Sequence, residues 1–443
     1  MPSARRKLVA IALALVCAAS AALASERAAE ASPEDILGFG ARSSAMGATG
    51  AASAEGYEAV YGNPALLSLA RSREITIGIQ GVAFDLHAHQ KVSYEAMKGS
   101  VIGAVLPLPF GGILKDRIAL GVGFFTPFDL IVRGRILYPE VPQFPLADRT
   151  QSLAIQAGLG VDIGHGVRIG GGFAALAALS GTVLVATDAT GKVGTTVDDT
   201  LVASYAPTVG VSYETPGGAY RFGATFRGTL VGRFNVQITV KDLGDLTVPP
   251  LNISGTAQYD PWQLAFEVAR VKGPWKLALG VTYKHWGAYP GAAEQTVRCP
   301  VLDPDTGKPF TADCNPAKVP PPEFHSTVSP RAGVERTFEP AEGVGIALRG
   351  GVLVEPSPAP SQTKASNIYD NTRVAVTLGY GVQLGPPFPK IDFDLFGQLH
   401  ALIPETHVKG DSVSAADVAA AGAKSVTSSG FVGAAGATVG VKF

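Results

Sequence analysis

The chain of 443 residues is 46% hydrophobic and 16% charged, with 36 basic against 37 acidic side chains and 53 glycines. So little charge, so evenly balanced, excludes nucleic acid as a partner, because that needs a concentrated basic surface. A mean hydropathy of +0.22 points instead to a chain that meets lipid.

The N-terminus sets the compartment. Arg5, Arg6 and Lys7 precede the apolar run Leu8 to Ala22, which closes on Ala22-Leu23-Ala24 with small residues where a signal peptidase reads. This predicts a secretory signal peptide over 1–24; the run is too short for a membrane anchor. Cys17 falls inside it. Removal leaves 33 basic against 37 acidic residues. Cys299 and Cys314 remain, and in an exported protein they predict one disulfide closing a local loop. Two such ligands are too few for a metal site, and no cofactor is implied.

The next distinctive stretch, "AEGYEAVYGNPALLSLARSRE" (Ala54 to Glu74), reads as a short helix, cut by Asn63-Pro64 and restarted at Pro64-Ala65. Everything after it reads as β. Ile75, Ile77 and Ile79 alternate with Thr76, Gly78 and Gln80, and Val374, Val376, Leu378 and Tyr380 oppose Arg373, Thr377 and Gly379. Each such strand has one apolar face and one small or polar face. The apolar face looks inward in a soluble sandwich and outward in a membrane barrel, so alternation alone does not choose. The longest uncharged run, Ile169 to Thr187, carries Gly170, Gly171, Gly172 and Gly181, which suits a strand and turn better than a spanning helix.

Loop lengths choose. Strands are predicted near 74–87, 97–108, 116–129, 151–164, 166–180, 200–214, 218–232, 254–270, 274–286, 326–338, 343–354, 371–384, 389–402 and 428–443. Short connectors such as Gly164-His165-Gly166 and Lys272-Gly273 alternate with long ones such as 130–150, 181–199, 233–253, 287–325, 355–370 and 403–427. An even strand number with long loops at one rim and tight turns at the other is the signature of an outer-membrane barrel. Trp262, Trp275 and Trp286 fall at predicted strand ends, where an aromatic girdle belongs. The chain ends on a strand whose last residue is Phe443, as barrels presented to the barrel assembly machinery do. The predicted fold class is an all-β membrane protein, a 14-stranded antiparallel transmembrane β-barrel in the bacterial outer membrane.

The stretch "GFGARSSAMGATGAASAEGYEAVYGNPALLSLA" (Gly38 to Ala70) resembles the opening of the FadL-type transporters of long-chain fatty acids and other hydrophobic compounds, with Asn63-Pro64-Ala65 at the family's Asn-Pro-Ala turn. "PWKLALGVTYKHW" (Pro274 to Trp286) and "ALRGGVLVEPSPAPSQTKASNIYDNTRVAVTLGYG" (Ala347 to Gly381) resemble later family segments in the same order. PorV-type barrels share a similar opening and serve as docking or assembly components. The FadL resemblance implies a mostly helical N-terminal hatch inside the barrel, here 25–73, with Ile36, Phe39, Asn63, Pro64 and Ala65 in it and 74–443 as the wall. Abundant inward Gly and Ala leave room for such a plug. Inward Arg221, Arg227, Arg331, Arg349, Arg373, Glu267, Glu335, Asp392 and Asp394 are read chiefly as residues solvated in a wet lumen.

The resemblance also implies passive transport of a long-chain fatty acid or similar ligand across the lipopolysaccharide layer by a monomer. An acyl chain returning to water loses about 0.8 kcal/mol per methylene, and the resemblance implies the family's route around that cost: capture among extracellular loops and lateral release through a gap beside a kinked third strand. Thr126, Pro127 and Phe128 mark that opening, since Pro127 donates no ladder hydrogen bond; the alternative is that Pro127 simply ends the strand. Two loops are rich in apolar residues, with Phe144 and Leu146 in one and Leu243, Leu246, Val248, Leu251 and Ile253 in the other. They suit a capture groove or a lid of loops packed on each other. Enzymatic motifs are missing: there is no nucleophile elbow, no zinc-type His-Glu pattern and no phosphate loop leading into a helix. The chain is not expected to be an enzyme.

Overall fold

The computed structural model describes residues 33–128, 142–148, 153–187, 193–241, 251–291, 293–297, 322–364, 366–410 and 424–443. Among them no helix is long and apolar enough to cross a membrane, and the crossing is made by strands. The signal-peptide region, Leu243, Leu246, Val248, Cys299 and Cys314 lie outside the described residues.

Eighteen strand segments form one sheet. Two are short additions at the long-loop rim and two are continuations of neighbouring segments, which leaves a closed barrel of fourteen antiparallel strands. In chain order these are β1 (Glu74–Ala88), β2 (Met97–Pro107), β3 (Ile118–Pro127), β4 (Ala154–Gly164), β5 (Val167–Thr187) and β6 (Val193–Glu214). β7 (Tyr220–Arg227) is prolonged past a two-residue break by Leu230–Lys241. β8 has an upper part, Leu251–Asp260, and a lower part, Gln263–Lys272, broken by Pro261-Trp262. β9 (Trp275–Lys284), β10 (Thr327–Ala341), β11 (Val344–Glu355), β12 (Arg373–Leu384), β13 (Ile391–Val408) and β14 (Ser425–Lys442) complete the wall. Closure is made by β1 on β14, in register from Glu74↔Lys442 to Ala88↔Ser428. No sheet edge is left along that join, the condition for a strand structure in lipid.

Exposure decides which face is which. Ile77 and Ile79 are 60% exposed and Leu378 is 66% exposed, while Thr76 on the opposite parity is 3% and Thr377 is 0% exposed. The apolar parity faces outward and the polar parity is buried inside, the reverse of a soluble sandwich. Trp275 sits 45% exposed at the short-turn rim, as a girdle residue should. Trp286 does not: it is buried against Tyr259, stacked at 5.2 Å, and close to Tyr289 and Phe324. Sequence position at a strand end did not reveal that the loop after β9 folds back over it.

The largest boundary difference lies in β5 and β6, which continue to Thr187 and begin at Val193. The Thr- and Asp-rich stretch Thr195 to Thr200 lacks apolar alternation. Above the bilayer nothing demands that alternation, so a strand there leaves no periodic trace.

Candidate functional site

Residues 33–70 fill the lumen as short helices: α1 (Pro33–Leu37), α2 (Ala41–Ala45) and α3 (Ala59–Gly62), with 3-10 turns at Gly56–Glu58 and Pro64–Leu69. Ile36 and Phe39 are 2% exposed, and Asn63 and Ala65 are fully buried. The Asn63-Pro64 break is a capped helix start. The Asn63 Oδ1 accepts the Ala65 N–H at 3.0 Å and Pro64 occupies the first helical position. The Asn63 amide also donates to the carbonyls of Ala51 (2.6 Å) and Val211 (3.0 Å), joining hatch and wall.

Inward glycines allow the backbones to touch. A Cβ at Gly223 would lie 1.8 Å from the Ala51 carbonyl, and one at Gly351 would lie 2.2 Å from the Gly47 nitrogen. Both are overlaps that only glycine avoids.

Several of the inward charges, expected to be solvated, instead fasten the hatch. Glu267 accepts three hatch N–H groups, from Gly50 (2.7 Å), Ala51 (3.0 Å) and Ala52 (3.1 Å). Glu335 accepts the Arg42 guanidinium at two positions, both 2.8 Å, and Arg349 at 2.7 Å; Arg349 reaches on to Asp394. Glu55 of the hatch pairs with Arg42 and with Lys276 of β9. Higher up, Lys284 holds Asp35 of the hatch at 2.7 Å and Glu355 at 2.6 Å, with Arg331 3.6 Å from Glu355. Such groups are buried only because they are paired. A hatch that displaces lumenal water takes away the solvent these side chains were assigned.

Two hatch carboxyls titrate unusually. Burial disfavours the charge on Glu55, but Arg42 and Lys276 outweigh burial and hold it well below the ordinary carboxylate range. Burial pushes Glu58 up to about 8, with Arg42 opposing and Asp394 adding to the rise. The docked hatch therefore retains a proton on Glu58 that an undocked one releases near its ordinary pKa. Docking is strongest below that ordinary value and weakens as pH rises toward 8. Amide protection at Arg42 and Ser43, whose N–H groups both meet Glu58 at 2.9 Å, is expected to fall over this range by at most about tenfold per pH unit, the limit for one proton. Glu58→Gln is expected to flatten the profile.

One side of the lumen carries a large apolar cluster. Val82 and Leu86 of β1, Met97 and Val101 of β2, Phe125 of β3, Leu402 of β13 and Val426 and Val432 of β14 form one buried cluster with hatch residues Phe39, Val60 and Leu67. Phe144, Leu146 and Tyr369 descend from two loops to join it. Phe144 and Tyr369 rings lie 5.8 Å apart, the Phe144 N–H donates to the Tyr94 hydroxyl at 2.6 Å, and Gln143 bridges Ile368. Phe144 and Leu146 thus sit inside the mouth at 0% and 2% exposure, packed on a second loop and not spread on an outer surface. Leu251 and Ile253 belong to the upper part of β8, paired with Ile238 and Val236.

Thr126 and Pro127 end β3. Pairing with β2 runs to Gly99↔Pro127, and the Phe128 N–H reaches the Lys98 carbonyl at 2.9 Å. Pairing with β4 stops earlier, at Phe125↔Ala154. Since alternate residues face alternate neighbours, the missing N–H of Pro127 is on the β4 side.

One constellation resembles hydrolytic machinery. His407 Nε2 lies 2.8 Å from the Ser428 hydroxyl, with Glu405 3.7 Å from Nδ1. However, Nδ1 accepts the Gln362 backbone N–H at 3.1 Å, so in the neutral ring the proton is on Nε2 and points at Ser428. That tautomer cannot take the serine proton. Among the described residues no His, Cys, Asp and Glu group is arranged to hold a metal ion.

Fold and site together define a membrane-spanning β-barrel, closed by a charge-fastened hatch and carrying one large apolar cluster between hatch, wall and loops. Among solved structures the chain is similar to a FadL homologue from Pseudomonas aeruginosa, with a TM-score of 0.58 at 11% identity over 94% of this chain and 100% of that one. It is also similar to the toluene transporter TodX of P. putida (0.53, 16%, 92% and 99%) and to the toluene transporter TbuX of Ralstonia pickettii (0.51, 14%, 92% and 99%). No family model and no curated protein matches the sequence. The likeness is one of fold, and the fold is the FadL type, that of outer-membrane barrels.

Proposed function

We propose that the chain is a passive channel of the bacterial outer membrane for hydrophobic small molecules, long-chain fatty acids among them. Ligand is captured among the long loops, passes to the apolar side of the lumen and leaves sideways through the wall. The observation that carries this reading is the two-faced lumen. The charged side is occupied in holding the hatch, so the way straight down is shut, while the apolar cluster on the other side, which runs from the hatch to the mouth, offers a greasy wall. The end of the β3–β4 ladder at Phe125 supports Thr126, Pro127 and Phe128 as a lateral opening. Phe144 and Leu146 then act as the inner floor of the capture region. The solved neighbours named as toluene transporters favour apolar cargo in general.

The test is uptake of labelled oleate by an outer-membrane mutant complemented with this chain. Uptake above the empty-vector level is expected. Leu86→Asp, which places a carboxylate in the apolar cluster, is expected to lower it about tenfold or more, because an unpaired buried charge costs more than the ~1.4 kcal/mol of a tenfold change. A correctly inserted barrel that takes up neither oleate nor other hydrophobic compounds would sink the channel reading in favour of a docking barrel.

A further inference from the structure

The wall parts at a second place. The β6–β7 ladder climbs from Glu214↔Arg221 to Thr208↔Arg227 and ends with one more bond, from the Gly228 N–H to the Pro207 carbonyl at 2.8 Å. Beyond it the prolongation of β7 leaves β6. It pairs on one side with the upper part of β8 and on the other with β5, in parallel, from Ser180↔Asn235 to Ala186↔Lys241. Residues 201–206 of β6 keep their β5 partners but have no strand partner on the β7 edge among the described residues. Pro207 contributes to this. Its carbonyl faces β7, so the donor it lacks is also on that edge.

Three further observations bear on the seam. It begins at the top of the hatch: the Arg227 guanidinium covers the Tyr61 ring at 4.2 Å and reaches the Tyr61 carbonyl at 3.4 Å. Directly above, Leu176, Ala206 and Leu230 form a buried apolar cluster of their own, so side chains and not hydrogen bonds close the gap. On the lipid face just below, the outward residues of β6, β7, β8 and β9, Tyr213, Phe222, Phe266 and Leu279 among them, line a concavity of about 510 Å³. That is the size of a small-ligand pocket, ~300–1,000 Å³.

Depth matters. Arg227 lies seven residues above Tyr220, or about 18 Å along the membrane normal at a barrel's tilt, inside an apolar band of about 25 Å. Unpaired backbone at that depth is tolerated only where protein covers it or where it lines a passage.

We infer that the seam between β6 and β7, above Pro207 and Gly228, is a second lateral portal. Through it an apolar ligand stopped by the hatch passes into the outer concavity and then the bilayer. The inference rests on the channel reading. Leu176 and Leu230 are its gate, and they move by changing rotamers without breaking a ladder bond.

The test uses the full-length barrel with Cys299 and Cys314 replaced by serine, carrying Ala206→Cys and Leu230→Cys and bridged by a short thiol-reactive cross-linker with a cleavable link. A control bridge joins Val209→Cys and Phe226→Cys, which already face each other across the intact ladder. Bridging the seam is expected to remove most oleate uptake, cleaving the link to restore it, and the control bridge to leave it unchanged. Uptake that ignores a seam bridge verified by mass spectrometry would overturn the portal alone. Absence of uptake in the unbridged protein as well would overturn the channel reading and the portal with it.

Discussion

Replacing Glu335 by alanine is expected to turn a closed barrel into one that conducts ions. Its carboxylate neutralises two guanidiniums, Arg42 of the hatch and Arg349 of the wall, through three hydrogen bonds of 2.7 to 2.8 Å. Arg42 and Glu335 are buried to 9% and 5% exposure; without Glu335, Arg42 keeps only the half-exposed Glu55 and Arg349 only Asp394, so the cost approaches but stays below the about 3–5 kcal/mol of a wholly stranded buried charge. The wall is held by its own ladders, and so the loss falls on hatch docking. In planar bilayers Glu335→Ala should give stepwise currents where the parent protein is silent. Glu335→Gln, which still accepts hydrogen bonds but carries no charge, should fall between. Heat-modifiable mobility on gels would show that the barrel itself has folded. An intact but silent Glu335→Ala barrel would mean that this carboxylate does not hold the hatch.

The second large effect is steric. Gly223→Val puts a branched side chain where the Ala51 carbonyl already lies 1.8 Å from an ideal Cβ, and both groups are backbone-anchored. The hatch segment Gly50 to Ala52 must move away, which breaks the three N–H bonds to Glu267. Each of those buried donors left unsatisfied costs about 1–3 kcal/mol. Proteolytic clipping of the hatch in the detergent-solubilised barrel should therefore rise sharply. Glu267→Ala should give the same phenotype, and the double variant should be little worse than either, since both break one contact. Fully additive effects would show that Gly223 and Glu267 act on separate parts of the hatch.

The barrel was legible because lipid imposes a strict pattern. Ile75, Ile77 and Ile79 had to share a parity, and turns such as Lys272-Gly273 had to be tight. Where lipid ends, so does legibility. The upper half of β6 carries Thr and Asp without alternation, from Thr195 to Thr200, so a loop is expected where the strand runs on. The Asn63-Pro64-Ala65 turn pointed correctly to an internal hatch, but the fastening did not show. Lys284 and Glu355 sit at predicted strand ends, and Arg42 and Glu58 in an Ala-rich stretch, none with a partner near in sequence. A signal was present all the same. A segment assigned to a lumen and carrying Asp35, Arg42 and Glu55 needs opposite charges on the wall: Glu335 answers Arg42, and Lys284 and Lys276 answer Asp35 and Glu55. Pro207 was hidden in the same way. It lies within a predicted strand, where a missing donor marks an edge, yet only the ladder shows which neighbour it faces.

On the proposed route, apolar cargo crosses sideways while the hatch keeps the lumen shut. The most direct measurement is the ionic current through the unmodified protein in a planar bilayer as oleate is added at levels that cells take up. A current at baseline before and after addition is expected. Oleate-dependent open-channel steps would contradict it, because they would mean that cargo clears a way straight past the hatch.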